Sequence, residues 1–227
     1  MKLKSRTYAL VALFCLMLST TSCMNLLERI FFNSNGGGTY SFTIDMSEMK
    51  SMMEMMGTEM STEDLLKELD LDNTDADEKL KAVKGISNVA LTFDSVKFSV
   101  GLKFDFADLN ALNQGISTYF KDSTKTGDQM YDFFEEKGGS IIRSNVNLIG
   151  ENFDKAMNET ENPEDLEMAK MFLGDMYYSS ELIFDSKIRS FSNNQYEQYN
   201  EKSITWKKYF FRDDDTSTNI AVKVKVK

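Results

Sequence analysis

No histidine occurs anywhere in this 227-residue chain, and its two cysteines, Cys15 and Cys23, both lie near the N-terminus. That removes Ser-His-Asp and Cys-His machinery, His-ligated zinc and the usual neutral-pH general base. Chemistry must then come from carboxylates, Lys, Tyr, hydroxyls, amides and thioethers. The thioethers are concentrated, with Met46, Met49, Met52, Met53, Met55, Met56 and Met60 inside 15 residues. Met46, Met49, Met53, Met56 and Met60 recur at alternating spacings of 3 and 4, which puts them on one face of a helix. Three readings of that face are open. Thioethers are soft ligands suited to Cu(I). Methionine also fills irregular space, so the face can simply be core. Or Met49, Met52, Met53, Met56 and Met60 form an adjustable lid over a ligand site. A Met stripe at helical spacing is ordinarily core, so the sequence assigns no metal to it.

The acidic clusters are no more specific. Asp70, Asp72, Asp75, Asp77 and Glu78 resemble a calcium loop in composition but lack its central Gly and its closing Glu. Thr74 or Asp75 capping the next helix explains the cluster more simply. Asp213-Asp214-Asp215 reads as a solvated hairpin loop. With 36 acids any glycosidase pair can be drawn, and none is singled out. There is no P-loop, nucleophile elbow or dinucleotide fingerprint. The sequence points away from an enzyme and asks for no cofactor.

The N-terminus is more explicit. Lys2, Lys4 and Arg6 precede an apolar run, Tyr8–Leu18, and then Ser19-Thr20-Thr21-Ser22-Cys23. A basic start, a short apolar stretch and small residues before a cut define a secretory signal peptide, here residues 1–22. The apolar run is too short to span a bilayer, which takes about 20 residues. Thr21-Ser22-Cys23 resembles the lipobox of bacterial lipoproteins, with Thr20 where that family usually has Leu. The resemblance implies cleavage before Cys23, a diacylglyceryl group on its thiol and an acylated amino group. Two or more acyl chains anchor stably where one is marginal. Met24, where inner-membrane retention favours Asp, implies an outer-membrane destination, facing the periplasm or the surface.

On that reading no free thiol remains, so the stability must come from an ordinary core. The removed segment carries three cations and no acid, which takes the formal net charge from −10 to about −13. So acidic a chain is repelled by nucleic acid, which is excluded as a partner, and by anionic headgroups. The acyl chains must do the holding.

The elements follow from hydrophobic period. Residues 23–38 read as a lipidated tether, with the apolar Met24–Phe32 lying at the interface or against the domain. Asn33–Gly38 reads as a flexible linker. Residues 39–227 form one domain. Tyr40, Phe42, Ile44 and Met46 alternate as a strand. Helices follow at Ser47–Met60, Glu63–Leu69 and Ala76–Lys84. Gly85–Phe93 and Val96–Phe106 make a hairpin turning at Asp94-Ser95, with Val96, Phe98, Val100, Leu102, Phe104 and Phe106 on one face. Leu109, Leu112, Ile116 and Tyr119 have helical spacing. Met130–Glu136 and Ser140–Asn145 make a second hairpin around Gly138-Gly139. Asn162-Pro163 starts another helix. Met176–Phe184, Ile188–Ser192, Ser203–Phe211 and Ile220–Val226 are closing strands. Alternating strands favour an antiparallel sheet with one wet face. The predicted fold is therefore a two-layer α+β domain, mainly antiparallel, with helices on one face.

Within Ile183–Trp206, the run Lys187-Ile188-Arg189-Ser190-Phe191-Ser192-Asn193 leads to Ser203-Ile204-Thr205-Trp206. This pattern resembles the LppM-type domain of bacterial lipoproteins, with Phe184-Asp185-Ser186 at that family's Phe-Pro-Gly-like turn. The likeness extends over most of residues 39–227 and implies binding of envelope lipids or lipid conjugates. The expectation is a non-catalytic, membrane-anchored lipoprotein that binds a hydrophobic ligand or an envelope protein. The alternative is a structural or assembly lipoprotein without a pocket. An apolar cavity of about 300 Å³ or more separates the two.

Overall fold

The computed structural model describes residues 24–50, 74–120, 130–158, 167, 170, 173–212 and 214–227. Cys23, Met52, Met53, Met56, Met60, the expected helix at Glu63–Leu69 and the helix start at Asn162 lie outside them.

The first strand, β1 (Asn25–Phe32), is the middle of a seven-stranded sheet. It pairs antiparallel with β2 (Gly38–Asp45) on one side and parallel with β7 (Tyr177–Phe184) on the other. Beyond β2 lie β4 (Ser99–Phe106) and then β3 (Ile86–Asp94); beyond β7 lie β10 (Ser203–Tyr209) and then β9 (Glu197–Asn200). Every pairing except β1–β7 is antiparallel. A second sheet, in the order β5 (Phe134–Glu136), β6 (Ser140–Arg143), β11 (Val222–Val226), β8 (Ile188–Phe191), is also antiparallel. Three helices are described over their whole range, α1 (Thr74–Lys81), α2 (Leu109–Phe120) and α3 (Leu148–Asn158), and residues 47–50 are helical as well.

The α+β architecture and the antiparallel majority are as the sequence predicts. Two features differ. The residues expected to tether the domain are its central strand. Leu26, Glu28, Ile30 and Phe32 point inward at period two, and Asn33–Gly37 is a tight turn closed by Asn33 N–H donating to Gly37 O at 2.9 Å. Gly38 is required where the turn ends. A Cβ there would stand 1.8 Å from the Phe31 carbonyl oxygen and 2.6 Å from the Phe106 ring. The inner face is also covered by the small sheet as well as by helices. Val222, Val224 and Ile220 join Leu26, Ile30, Tyr40, Leu102, Phe104, Leu182 and Trp206 in one core, with Ala111, Leu112 and Ile116 from α2.

The β3–β4 turn is longer than expected. The Asp94 carboxylate accepts from Val96 N–H and Lys97 N–H at 3.0 and 2.9 Å, pulling both out of strand geometry. Val96 is therefore 81% exposed, and Phe98, at φ 52°, restarts the inward alternation. Gly138 and Gly139, at φ 62° and 67°, turn β5 into β6 as the sequence predicts.

Candidate functional site

Two features stand out between the sheets: a buried ionic network at mid-height and a cleft at one end.

Glu28 and Arg143 supply the network's charges, and both are all but inaccessible. Glu28 takes an inward position on β1 that periodicity would give to an apolar residue. Its Oε2 accepts from Arg143 Nη1 at 2.7 Å, Ser180 Oγ at 2.7 Å and Tyr178 OH at 2.8 Å. Its Oε1 accepts from Tyr40 OH at 3.3 Å. Arg143, reaching over from β6, also donates to Ser180 Oγ at 2.7 Å and to Tyr178 OH at 3.2 Å, and lies over the Phe134 ring. Burial works against the guanidinium's charge, but Glu28 more than offsets it, and Arg143 is held above its ordinary value. Burial, reinforced by Glu28, pushes the Tyr178 and Tyr40 phenols well up. Burial does the same to Tyr196, although Arg143 opposes it. This constellation locks its protons in place. The Tyr40, Tyr178 and Ser180 hydroxyls all donate to the Glu28 carboxylate, while the Tyr196 hydroxyl donates to the Ile220 carbonyl. The network's chemistry is structural: it pins the small sheet to the large one.

The cleft lies at the end where β1 turns into β2 and measures about 890 Å³. Phe32, Phe134, Phe184, Leu109, Ile141 and Val226 give it an apolar floor. Phe32 is the centre of that floor. Its ring stacks on Phe184 at 5.2 Å and meets Phe134 edge-on at 5.6 Å. Phe134 is held by an amide clamp from α2. Asn113 Nδ2 donates to Phe134 O at 2.8 Å, and Phe134 N–H donates to Asn113 Oδ1 at 2.9 Å. The buried Asn113 thus stands in for a neighbouring strand and sets the wall of the cleft. The rim is polar and mostly acidic: Asp108, Asp132, Glu135, Glu136 and Asp185, with Lys227 opposite. Two of these acids have local work. Asp108 Oδ1 accepts from Ala111 N–H at the start of α2, and Asp185 Oδ2 accepts from Ser34 N–H.

Of Cys23 and the expected lid residues Met49, Met52, Met53, Met56 and Met60, Met49 alone is described. It is half-buried and packs on Met46, Phe98 and Val100, at the opposite end of the sheet from the cleft. The packed core reading fits Met49; it is not brought to the cleft. Among the described residues no group of three or more acids and cysteines is placed to hold a metal. No described helix is long and apolar enough to cross a membrane.

The sequence gives no notice of the cleft, because its floor comes from β1, β5, β6, β7, α2 and β11 together. Glu28 leaves a trace, a carboxylate amid Leu26, Ile30 and Phe32 at period two, but that stretch reads as a tether when only its neighbour Cys23 is considered.

No family model matches the chain, and no curated protein does. Among solved structures, the chain is similar to the folded domain of LppM from Mycobacterium tuberculosis, determined by NMR, with 9% sequence identity, a TM-score of 0.45 and 90% of each chain covered.

Proposed function

We propose that this protein is a non-catalytic, lipid-anchored envelope lipoprotein whose domain takes the apolar part of an amphipathic ligand into the Phe32 cleft. The cleft carries the reading: its volume exceeds the roughly 300 Å³ of a small-molecule site, and its apolar floor sits inside a polar rim. The rim would hold a polar headgroup in water while the floor removes apolar surface from it, at about 25 cal/mol per Å². The attachment rests on Cys23 and its lipobox-like context. Nothing in the buried Glu28–Arg143 network competes with this reading, because that network is closed to solvent.

The test uses the full-length protein purified in mild detergent and a fluorescent fatty-acyl probe. Saturable binding is expected, and Ile141→Trp, which places an indole against the floor, should weaken it about tenfold with an unchanged unfolding midpoint. No saturable binding, or equal binding by the variant, favours a structural or assembly lipoprotein instead. Cys23→Ala should move the protein out of the membrane fraction; unchanged partitioning removes the anchor.

A further inference from the structure

We propose that the domain docks on the bilayer surface through the end of the large sheet where β1 begins, holding the cleft away from that membrane. This rests on the reading of Cys23 as the lipidated residue. Met24 packs on the core and on the cluster of Met46, Phe98 and Val100, so the chain is held to within one residue of Cys23. Two residues reach at most about 7 Å, so Asn25 and the anchor are close neighbours. There is no tether to let the domain tumble.

Strand register says what else shares that end. Asn25 pairs with Asp45, and Asp45 pairs with Ser99, beside the Ser95–Phe98 turn. On the other side Tyr177 N–H reaches Asn25 Oδ1, and Tyr177 pairs with Tyr209. Val96 is the most exposed aliphatic side chain of the described residues and stands at the tip of that turn. Lys50 Nζ ties the turn down by donating to the Ser95 and Val96 carbonyls. The Tyr177 and Tyr209 rings meet edge-on at 5.7 Å, with Lys207 Nζ 4.0 Å from the Tyr177 centroid and the Arg212 guanidinium 3.9 Å from that of Tyr209. Tyrosines with one wet end and an attendant cation suit the headgroup layer.

Charge decides which lipid fits. Lys50, Lys97, Lys207 and Arg212 stand among Asp45, Glu48, Asp94, Asp175 and Asp215, with Arg212 already paired to Asp175 at 2.6 Å. Signs nearly cancel, so this end matches a zwitterionic headgroup layer and does not select anionic lipid. β1 then runs away from the surface for eight residues, about 26 Å at 3.3 Å each, to Phe32 and the cleft.

The lipidated chain has no other thiol, so single spin labels report position directly. Val96→Cys and Lys137→Cys are labelled in the full lipidated protein on phosphatidylcholine vesicles. Val96 is at the proposed docking end; Lys137, in the β5–β6 turn, is at the cleft end. The label at 96 should be at least about threefold less accessible to a water-soluble nickel chelate than the label at 137. Equal accessibility on protein that floats with the vesicles overturns the docking orientation alone. Protein that does not float overturns the Cys23 anchor, and the orientation with it.

Discussion

Glu28 and Arg143 meet at 2.7 Å between the two sheets, although 115 residues separate them in the chain. Neither charge has water to fall back on, so each is tolerable only with the other present. Arg143→Met should cost about 3–5 kcal/mol, because it leaves the Glu28 carboxyl buried with only hydroxyl donors around it. Glu28→Gln should cost a similar amount by stranding the guanidinium. Combining Glu28→Gln with Arg143→Met should cost clearly less than the sum. Urea unfolding of the four proteins measures this; additive losses would show that the pair is not coupled.

The hydroxyls of the same network predict alkaline fragility. Burial holds Tyr40, Tyr178 and Tyr196 protonated above the ordinary tyrosine range, with Glu28 adding to it for all three and Arg143 opposing it. The folded state therefore keeps protons that the unfolded chain gives up above about pH 10. Stability should be intact below that value and fall above it, by about 1.4 kcal/mol per pH unit for each tyrosine. Urea midpoints between about pH 9 and 12 would show the decline. Tyr196→Phe should flatten it by one proton's worth; an unchanged slope would deny that Tyr196 takes part.

These predictions fall on residues that were hard to read from the sequence. The strands were legible wherever one face is wet, as in Tyr40–Ile44, Leu102–Phe106 and Val222–Val226, because period-two alternation is local. The Gly138-Gly139 turn was legible for the same reason. The sequence puts Val96 on the inner face because it continues an apolar alternation, which the Asp94 carboxylate breaks by capturing two N–H groups. The sequence predicts neither α3 nor β9: Glu197–Asn200 is exposed throughout, so β9 has no apolar stripe to betray it. Glu28 is hidden by context, since a Leu-Leu-Glu-Arg-Ile-Phe-Phe run separated from a cysteine by two residues looks like a membrane-proximal segment. Its role depends on Arg143, Tyr178 and Ser180, which no local pattern connects to it.

Helix α2 gives a packing prediction at Gly115, which lies against the sheet. A Cβ there would stand 2.8 Å from the Phe104 ring and 3.2 Å from Ile86 Cδ1. Phe104 is wholly buried and stacked on Tyr40 at 4.9 Å, so it has little room to retreat. Alanine gains about 1 kcal/mol of helix propensity, and overpacking costs about 1–3 kcal/mol. Gly115→Ala should therefore destabilise, by about 1 kcal/mol net. A higher thermal midpoint in the variant would mean that the helix shifts to make room.

The cleft's rim makes the last prediction, about headgroup sign. Five carboxylates face one ammonium there, and Asp132, Glu135 and Glu136 are exposed and make no capping bond. Asp185, held below the usual carboxylate range by the Ser34 hydroxyl and N–H, stays ionised well into mild acid. Among amphiphiles of equal chain length, one with an ammonium head should bind more tightly than one with a sulfate head. Surface charges act through about 8 Å at physiological salt, so the preference should be about tenfold at low salt and shrink as salt is added. Glu135→Gln/Glu136→Gln should narrow it without changing how tightly a neutral-headed amphiphile binds. Calorimetric titration of the three ligands against both proteins decides it. A salt-independent preference, or a tighter sulfate, would place the bound headgroup away from this rim.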